Sequence, residues 1–266
     1  MKPARFRYSA AASVEEALGL LATADARPLA GGQSLVPLLN LRLARPSLLV
    51  DLNPVQELAG LDVSGAALRI GAMTRQASLL RAVLVARRWP LLAQAVAHAG
   101  HPATRSRGTI GGSVAHADPR AELPVALTAL DARFRLRALT GERTVTAAEM
   151  FAGPYTTAVR EGELLVEVVV PAPPPGARTA FLEHTRTSGD FALAGVAVVL
   201  APAGHASIAL LGAGAVPVRA RAAERALLDG ADAGSAARLA GGEVGDGHRR
   251  ALLTALTRRA LAQVMA

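Results

Sequence analysis

Apolar positions along the chain follow two rhythms, one of period two and one of about 3.6, and their alternation lays out the elements. Arg5 to Tyr8 reads as a short strand. Ser13-Val14-Glu15-Glu16 then forms a capping box and opens a helix to about Ala22, since the serine oxygen and the glutamate carboxylate can satisfy free first-turn amides. Arg27 to Ala30 predicts a strand, Leu35 to Leu43 a helix capped by Ser34 with Pro37 tolerated in its first turn, and Leu48 to Leu52 a buried strand. These make a small βαβ unit.

From Ala67 the rhythm changes. A strand over Leu68 to Gly71 leads into helices from Thr74 and from Pro90, then a helix over Leu123 to Leu130 and strands at Arg133 to Leu139 and Glu163 to Val170. Pro171-Ala172-Pro173-Pro174-Pro175-Gly176 cannot continue a helix or a central strand and reads as a stiff linker. Strands follow at Thr179 to Arg186, Phe191 to Leu200 and Ala206 to Leu211, then amphipathic helices near Ala220 to Leu228 and Arg249 to Val264. The expected class is α+β, with lobes at residues 1–56, 57–172 and 178–266.

Two glycine pairs carry the candidate chemistry: Ala30-Gly31-Gly32-Gln33-Ser34-Leu35 and Thr109-Ile110-Gly111-Gly112-Ser113. Paired glycines let a backbone come close to a ligand, allow positive φ and leave successive N–H groups for an anion, with hydroxyls at Ser34, Thr109 and Ser113 as further donors. The two turns read as halves of one diphosphate cradle. The chain lacks the G-x-G-x-x-G spacing and the βαβ repetition of a Rossmann domain, which excludes that fold.

Composition narrows the classes. No cysteine occurs among the 266 residues, so disulfides, thiolate zinc sites and an iron–sulfur cluster held by this chain's own thiolates are excluded. The six histidines, at positions 98, 101, 116, 184, 205 and 248, lack companion carboxylates at ligand spacing, and no metal site is expected. The net charge of +8 rests on arginines scattered among 21 acids, and aromatic residues are 3%, so a nucleic-acid surface is not expected. The longest apolar run, Phe191 to Pro202, is too short to span a membrane. The basic N-terminus leads into no apolar signal region, which makes the cytoplasm the expected address.

Beyond the two glycine motifs, Leu41-Arg42-Leu43-Ala44-Arg45-Pro46 and the longer stretch Arg107-Gly108-Thr109-Ile110-Gly111-Gly112-Ser113-Val114-Ala115-His116-Ala117-Asp118-Pro119 stand in order with Gly162-Glu163-Leu164-Leu165 and Gly189-Asp190-Phe191-Ala192-Leu193-Ala194-Gly195-Val196. In that order the chain resembles the FAD-binding medium subunit of molybdenum hydroxylases of the carbon monoxide dehydrogenase and xanthine dehydrogenase type. The resemblance implies a two-lobed FAD-binding fold of the vanillyl-alcohol-oxidase (PCMH) type and a C-terminal α+β domain of the carbon monoxide dehydrogenase flavoprotein type. It also implies a large molybdenum-cofactor subunit and a small [2Fe–2S] subunit as partners, arranged as a dimer of heterotrimers, with this chain passing electrons through FAD.

Residue by residue, the resemblance carries the diphosphate to Ala30, Gly31, Gly32, Gln33, Ser34 and Leu35, and to Thr109, Ile110, Gly111, Gly112 and Ser113. It sets Ala117 and Asp118 near the flavin, Glu122 at a ribose, Leu165 against a ring and His101 toward the isoalloxazine. Asp118 before Pro119 also reads as a helix N-cap, Glu122 as a solvated first-turn acid and Leu165 as core. Where some relatives carry a lysine, the chain reads Phe181-Leu182-Glu183-His184-Thr185-Arg186, and Arg186 is the nearest substitute. Two other readings are a self-contained flavin oxidase and a scaffold subunit that has lost flavin.

Overall fold

Three sheets of three to five strands, besides a two-stranded ribbon of Phe151–Gly153 with Thr156–Thr157, follow one another along the computed structural model, which describes residues 2–245 and 247–266. Each of the three, with the helices packed against it, forms one lobe. The first has three parallel strands, Arg7–Ala10, Ala26–Leu29 and Leu48–Asp51, with the last in the middle and buried along its whole length. Parallel neighbours need crossovers, supplied here by the helices Val14–Leu21 and Leu35–Asn40. The Ser13 hydroxyl accepts from the Glu16 amide at 3.1 Å, so the serine cap holds, while the Glu16 carboxylate accepts at 2.7 Å from the Ala12 amide rather than from that of Ser13, as the full box requires.

The second sheet is antiparallel, ordered Leu61–Ser64, Ala67–Gly71, Leu164–Pro171, Arg133–Ala138, Gly141–Thr146. Its alternation is clean: Leu68, Ile70, Phe134, Leu136, Val168 and Val170 point into the core, while Glu167 on the other face pairs with Arg69 at 2.9 Å and Arg135 at 3.1 Å. Pro171 closes the central strand and pairs with Ala67, so the stiff segment starts one residue later than the sequence indicates.

The third sheet is an antiparallel meander of Arg178–His184, Ala194–Ala201, His205–Leu211 and Val218–Arg219. Val196, Val198 and Ile208 face three covering helices, Arg221–Leu228, Ala233–Gly242 and Gly247–Met265. Ala197, Val199 and Ala209 face the second lobe. Between the two sheets lies Glu122–Ala129, a helix buried at all eight positions and apolar at all but Glu122 and Thr128, as a helix enclosed on every side must largely be. Its C-terminal carbonyls are satisfied by the third lobe: Ser207 Oγ donates to Ala129 O at 2.6 Å and Arg219 to Thr128 O at 3.2 Å.

Several boundaries differ from the sequence reading. The strand expected from Phe191 starts at Ala194. The helix expected to reach Leu43 ends at Asn40, with Arg42 at φ 59° beyond it. Ser34 is itself in the right-handed helical region and makes no side-chain cap, because a cap needs extended backbone to turn its oxygen toward the first-turn amides. The second glycine pair is no turn but lies inside a helix, Ile110–His116. No helix among the described residues is long and apolar enough to cross a membrane.

Candidate functional site

Glycine is required at the first pair for two separate reasons. Gly32 has φ 75°, a region that L side chains rarely enter. Gly31 is a close approach: a Cβ there would collide with the Arg107 carbonyl oxygen and lie 2.9 Å from Gly108 Cα. The second pair faces back, since a Cβ on Gly112 would sit 3.6 Å from that of Ala30. The two motifs, far apart in sequence, therefore meet backbone to backbone at the junction of the first and second lobes.

A polar relay fastens that junction. The Arg75 guanidinium donates to the Arg107 carbonyl and, at 2.5 Å, to Asn53 Oδ1. Asn53 in turn donates through Nδ2 to the Ala30 carbonyl at 3.1 Å and to the Asp51 carboxylate, which Tyr8 also reaches at 2.5 Å. Burial works against ionisation of Asp51, but the hydrogen bonds from Tyr8 and from the Asn53 backbone and side chain, with the Arg107 charge nearby, hold its carboxyl below the usual range. Nothing in the sequence marks Arg75. Asp51 and Asn53 carry a signal that sequence reading passed over, being polar residues at the carboxyl end of a buried parallel strand, where ligand crevices form.

The amides of the two motifs differ. Those of Gly31, Gly32, Gln33, Ser34 and Leu35 have no hydrogen-bond acceptor among the described residues, and Gln33 and Ser34 are exposed. In the second motif the Ile110 amide donates to Thr74 O at 3.0 Å, Gly111 to Ala72 O at 2.9 Å, Gly112 to Thr109 Oγ1 at 3.0 Å and Ser113 to Thr109 O at 3.1 Å. The expectation of free N–H groups thus holds for the first motif and is corrected for the second, whose amides are spent on the helix and its anchoring. Gly111 is a packing glycine, as a Cβ would come within 2.6 Å of Ala72. What the second motif leaves for a ligand is the hydroxyl hydrogen of Thr109 and the half-buried hydroxyl of Ser113.

At the other end of the Ile110–His116 helix, Ala117 takes φ 49° and Tyr155 φ 54°, and the Tyr155 amide donates to Ala117 O at 3.0 Å. Asp118 is buried and accepts from the Arg120 amide at 2.9 Å, an Asx turn rather than the expected helix cap, because the next helix starts only at Glu122. Tyr155 reaches Asp118 at 3.4 Å and its ring lies 5.1 Å from that of His116.

Glu122 is 8% exposed, not a solvated acid, and burial pushes its carboxyl up to about 7, with Glu183 adding to the rise. His101 is exposed, and its ring lies where a Cβ on Gly189 would come within 2.5 Å of Nδ1, so the Gly189-Asp190 bend of the third lobe sits on it. Phe191 is exposed beside that bend, with the Arg120 guanidinium 4.6 Å from its ring centre. Leu165 is packed in the core and presents no open surface. Arg186 is exposed, with no ion pair among the described residues.

The residues present suit a diphosphate-bearing cofactor: five unpartnered amides in a row, hydroxyls on both motifs and glycines where side chains would collide. Comparison with known proteins points the same way. Residues 4–173 match the family described as FAD binding domain in molybdopterin dehydrogenase. The chain is 46% identical over 236 residues, covering 86% of it and 80% of the relative, to the 6-hydroxypseudooxynicotine dehydrogenase complex subunit alpha of Paenarthrobacter nicotinovorans. It is 43% identical over 207 residues to the carbon monoxide dehydrogenase medium chain of Hydrogenophaga pseudoflava, covering 77% and 72% of the two chains. Among solved structures, carbon monoxide dehydrogenase from Hydrogenophaga pseudoflava superposes with TM-score 0.95 at 39% identity, covering 100% of this chain and 99% of that one. Quinoline 2-oxidoreductase from Pseudomonas putida 86 gives TM-score 0.94 at 38% identity, covering 99% and 98%.

Proposed function

Because the chain belongs to the family of FAD-binding domains of molybdopterin dehydrogenases, we propose that it is the electron-transfer subunit of a molybdenum hydroxylase. It takes electrons from [2Fe–2S] clusters of a small partner subunit and passes them to an external acceptor. Oxidation of the substrate falls to a large molybdenum-cofactor subunit, in a dimer of heterotrimers in the cytoplasm. The supporting observation is the row of free amides from Gly31 to Leu35 beside the buried start of the Ile110–His116 helix.

In this reading those amides and the Ser34 hydroxyl donate to the diphosphate oxygens, and Thr109 and Ser113 donate hydroxyl hydrogens from the facing side. A hydrogen bond to a charged oxygen contributes about 1.5–3 kcal/mol, so two or three of them account for tight retention. Gln33 and Leu35 line the first side, and Ile110, Gly111 and Gly112 shape the second from within the helix. Ala117 and Asp118 lie near the flavin, Glu122 faces the ribose hydroxyls, His101 stands toward the isoalloxazine, and Leu165 backs a ring from the core. FAD, when bound, supplies the reversible acceptance of electrons. The protein positions it, keeps water from its phosphates and sets the charge around it.

The test is titration of the full chain with FAD, followed by bound-flavin absorbance and fluorescence. The expected outcome is one FAD per chain, with affinity lost at least 100-fold in Gly31→Val. A chain that ignores FAD, or a Gly31→Val variant that binds as the parent does, contradicts the reading. Addition of the small partner, reduced beforehand, is expected to bleach the bound flavin.

A further inference from the structure

Beside the Arg75–Asn53 relay, where the chain passes from the first lobe to the second, lies a cleft of about 460 Å³. None of the residues from Gly31 to Leu35 or from Ile110 to Ser113 lines it, so it is distinct from the diphosphate cradle. One wall is the segment from Val55 to Leu61, and the other is Met73 and Arg75 with the start of the helix Gln76–Arg81. The walls are tied together. Thr74 Oγ1 accepts from the Gly60 amide at 3.0 Å and donates to the Gly60 carbonyl at 2.8 Å, and the Met73 amide donates to Leu58 O at 2.8 Å. The cleft is therefore preformed, and its volume is one that small ligands occupy.

Its chemistry is that of one cation in a mixed surface. Arg75 is half-buried and lines the cleft, yet no carboxylate forms an ion pair with it among the described residues. Its guanidinium donates to two neutral oxygens, the Arg107 carbonyl and Asn53 Oδ1, which leaves further N–H groups of its fork to be used. Burial and the charge of Arg107 pull its pKa down, and Asp51, the acid that opposes them, is already held by Tyr8 and Asn53. Two guanidinium charges thus stand against one carboxylate, in a place that solvates the excess poorly. Ser78 adds a half-buried hydroxyl with no hydrogen bond among the described residues. Val55 and Met73, both buried, and Leu61 supply apolar surface.

We propose that this cleft binds a small monocarboxylate with an apolar body, the carboxylate held by Arg75 and Ser78 and the body lying against Val55, Leu61 and Met73. A guanidinium presents paired N–H groups at the spacing of carboxylate oxygens, and an excess of one positive charge matches a single negative group. An inorganic anion leaves the apolar wall wet, and a neutral ligand leaves the guanidinium uncompensated. Occupancy also fixes Arg75, and with it the Arg107 carbonyl against which Gly31 packs. On the reading that the cradle holds FAD, the two ligands raise each other's affinity, by the same factor in each direction.

The experiment is methyl NMR of the full chain without FAD, labelled at methionine and titrated with hexanoate, hexanol and inorganic phosphate. Met73 lines the cleft, whereas Met150 lies in the core of the second lobe. Hexanoate is expected to shift the Met73 signal, to leave that of Met150 in place and to bind at least about tenfold more tightly than hexanol or phosphate, as a charge-assisted hydrogen bond implies. Arg75→Gln loses the preference for the carboxylate, and Ser78→Phe, which fills the cleft without removing the guanidinium, abolishes binding. A Met73 signal indifferent to hexanoate, hexanol bound as tightly as hexanoate, or binding unchanged in Arg75→Gln and Ser78→Phe alike overturns the proposal. Titration of FAD with and without hexanoate separates the claims. Hexanoate bound at Met73 with FAD affinity unchanged supports the cleft and counts against the relay as its link to the cradle. A chain that takes hexanoate but no FAD supports the cleft and counts against the FAD reading.

Discussion

One added carbon at Gly31 meets a carbonyl oxygen of the facing lobe, whereas one at Gly112 meets a side-chain hydroxyl 2.8 Å away that can rotate. The two glycines look alike in sequence and do different things. Gly31→Ala forces the lobes apart and is expected to weaken FAD binding more than tenfold, while Gly112→Ala disturbs the Thr109 cap and weakens it less; fluorescence titration of both variants checks the order. Gly32→Ala adds strain at φ 75°, of roughly 1 kcal/mol, and is expected to lower stability with little change in the contact at Arg107. Arg75 and Asn53 act through one hydrogen bond, so Arg75→Met and Asn53→Ala should not add. A double-mutant cycle on FAD affinity is expected to give a coupling of about 1 kcal/mol, and strict additivity would mean the relay does not hold the two motifs together.

At the scale of elements, the Ile110–His116 helix depends on its first turn, because that turn holds two glycines, which favour the unfolded chain, and the helix is only seven residues long. Thr109→Val removes the cap on the Gly112 amide. The expected cost is about 1 kcal/mol, or roughly 2–4 °C in Tm, with Thr109→Ser restoring most of it; an unchanged Tm would show that the cap is dispensable. The same helix explains where sequence reading succeeds and fails. Period-two strands such as Leu68, Ile70 and Val168, Val170 are legible because one face is buried. A pair of glycines reads as a turn, and the helix appears only once Ala72 O and Thr74 O are there to take its first amides. Ala233–Gly242 escapes notice for a related reason: its small residues give little periodic contrast until they pack on the Gly247–Met265 helix. The two motifs that meet at the candidate site are legible in sequence, since glycines and hydroxyls are local signals. The Arg75–Asn53 relay and the burial of Glu122 were not, since both depend on neighbours distant in sequence.

Over the whole molecule, the candidate site lies on seams between lobes, and the protein's charges make stability depend on pH from both sides. Asp51 and Glu163 have folded pKa values below their unfolded ones, so the stability they contribute is present above the unfolded values and is lost as pH falls through the folded ones. Glu122 runs the other way: the folded chain favours its protonated form, so stability falls as pH rises from about 4.5 to about 7. The pKa of His98 is also raised, and its contribution is lost as pH climbs through the folded value. Thermal melts are therefore expected to peak in mild acid, and Glu122→Gln should flatten the decline between pH 5 and 7; a parent most stable at pH 8 would contradict this. The central claim is that backbone amides of the first glycine motif hold the diphosphate of FAD between the first two lobes. Hydrogen–deuterium exchange of the full chain with and without FAD tests it most directly. Strong new protection is predicted at Gly31 to Leu35, with a smaller change at Ile110 to Ser113, whose amides are already bonded. FAD bound at one per chain with exchange at Gly31 to Leu35 unaltered would contradict it.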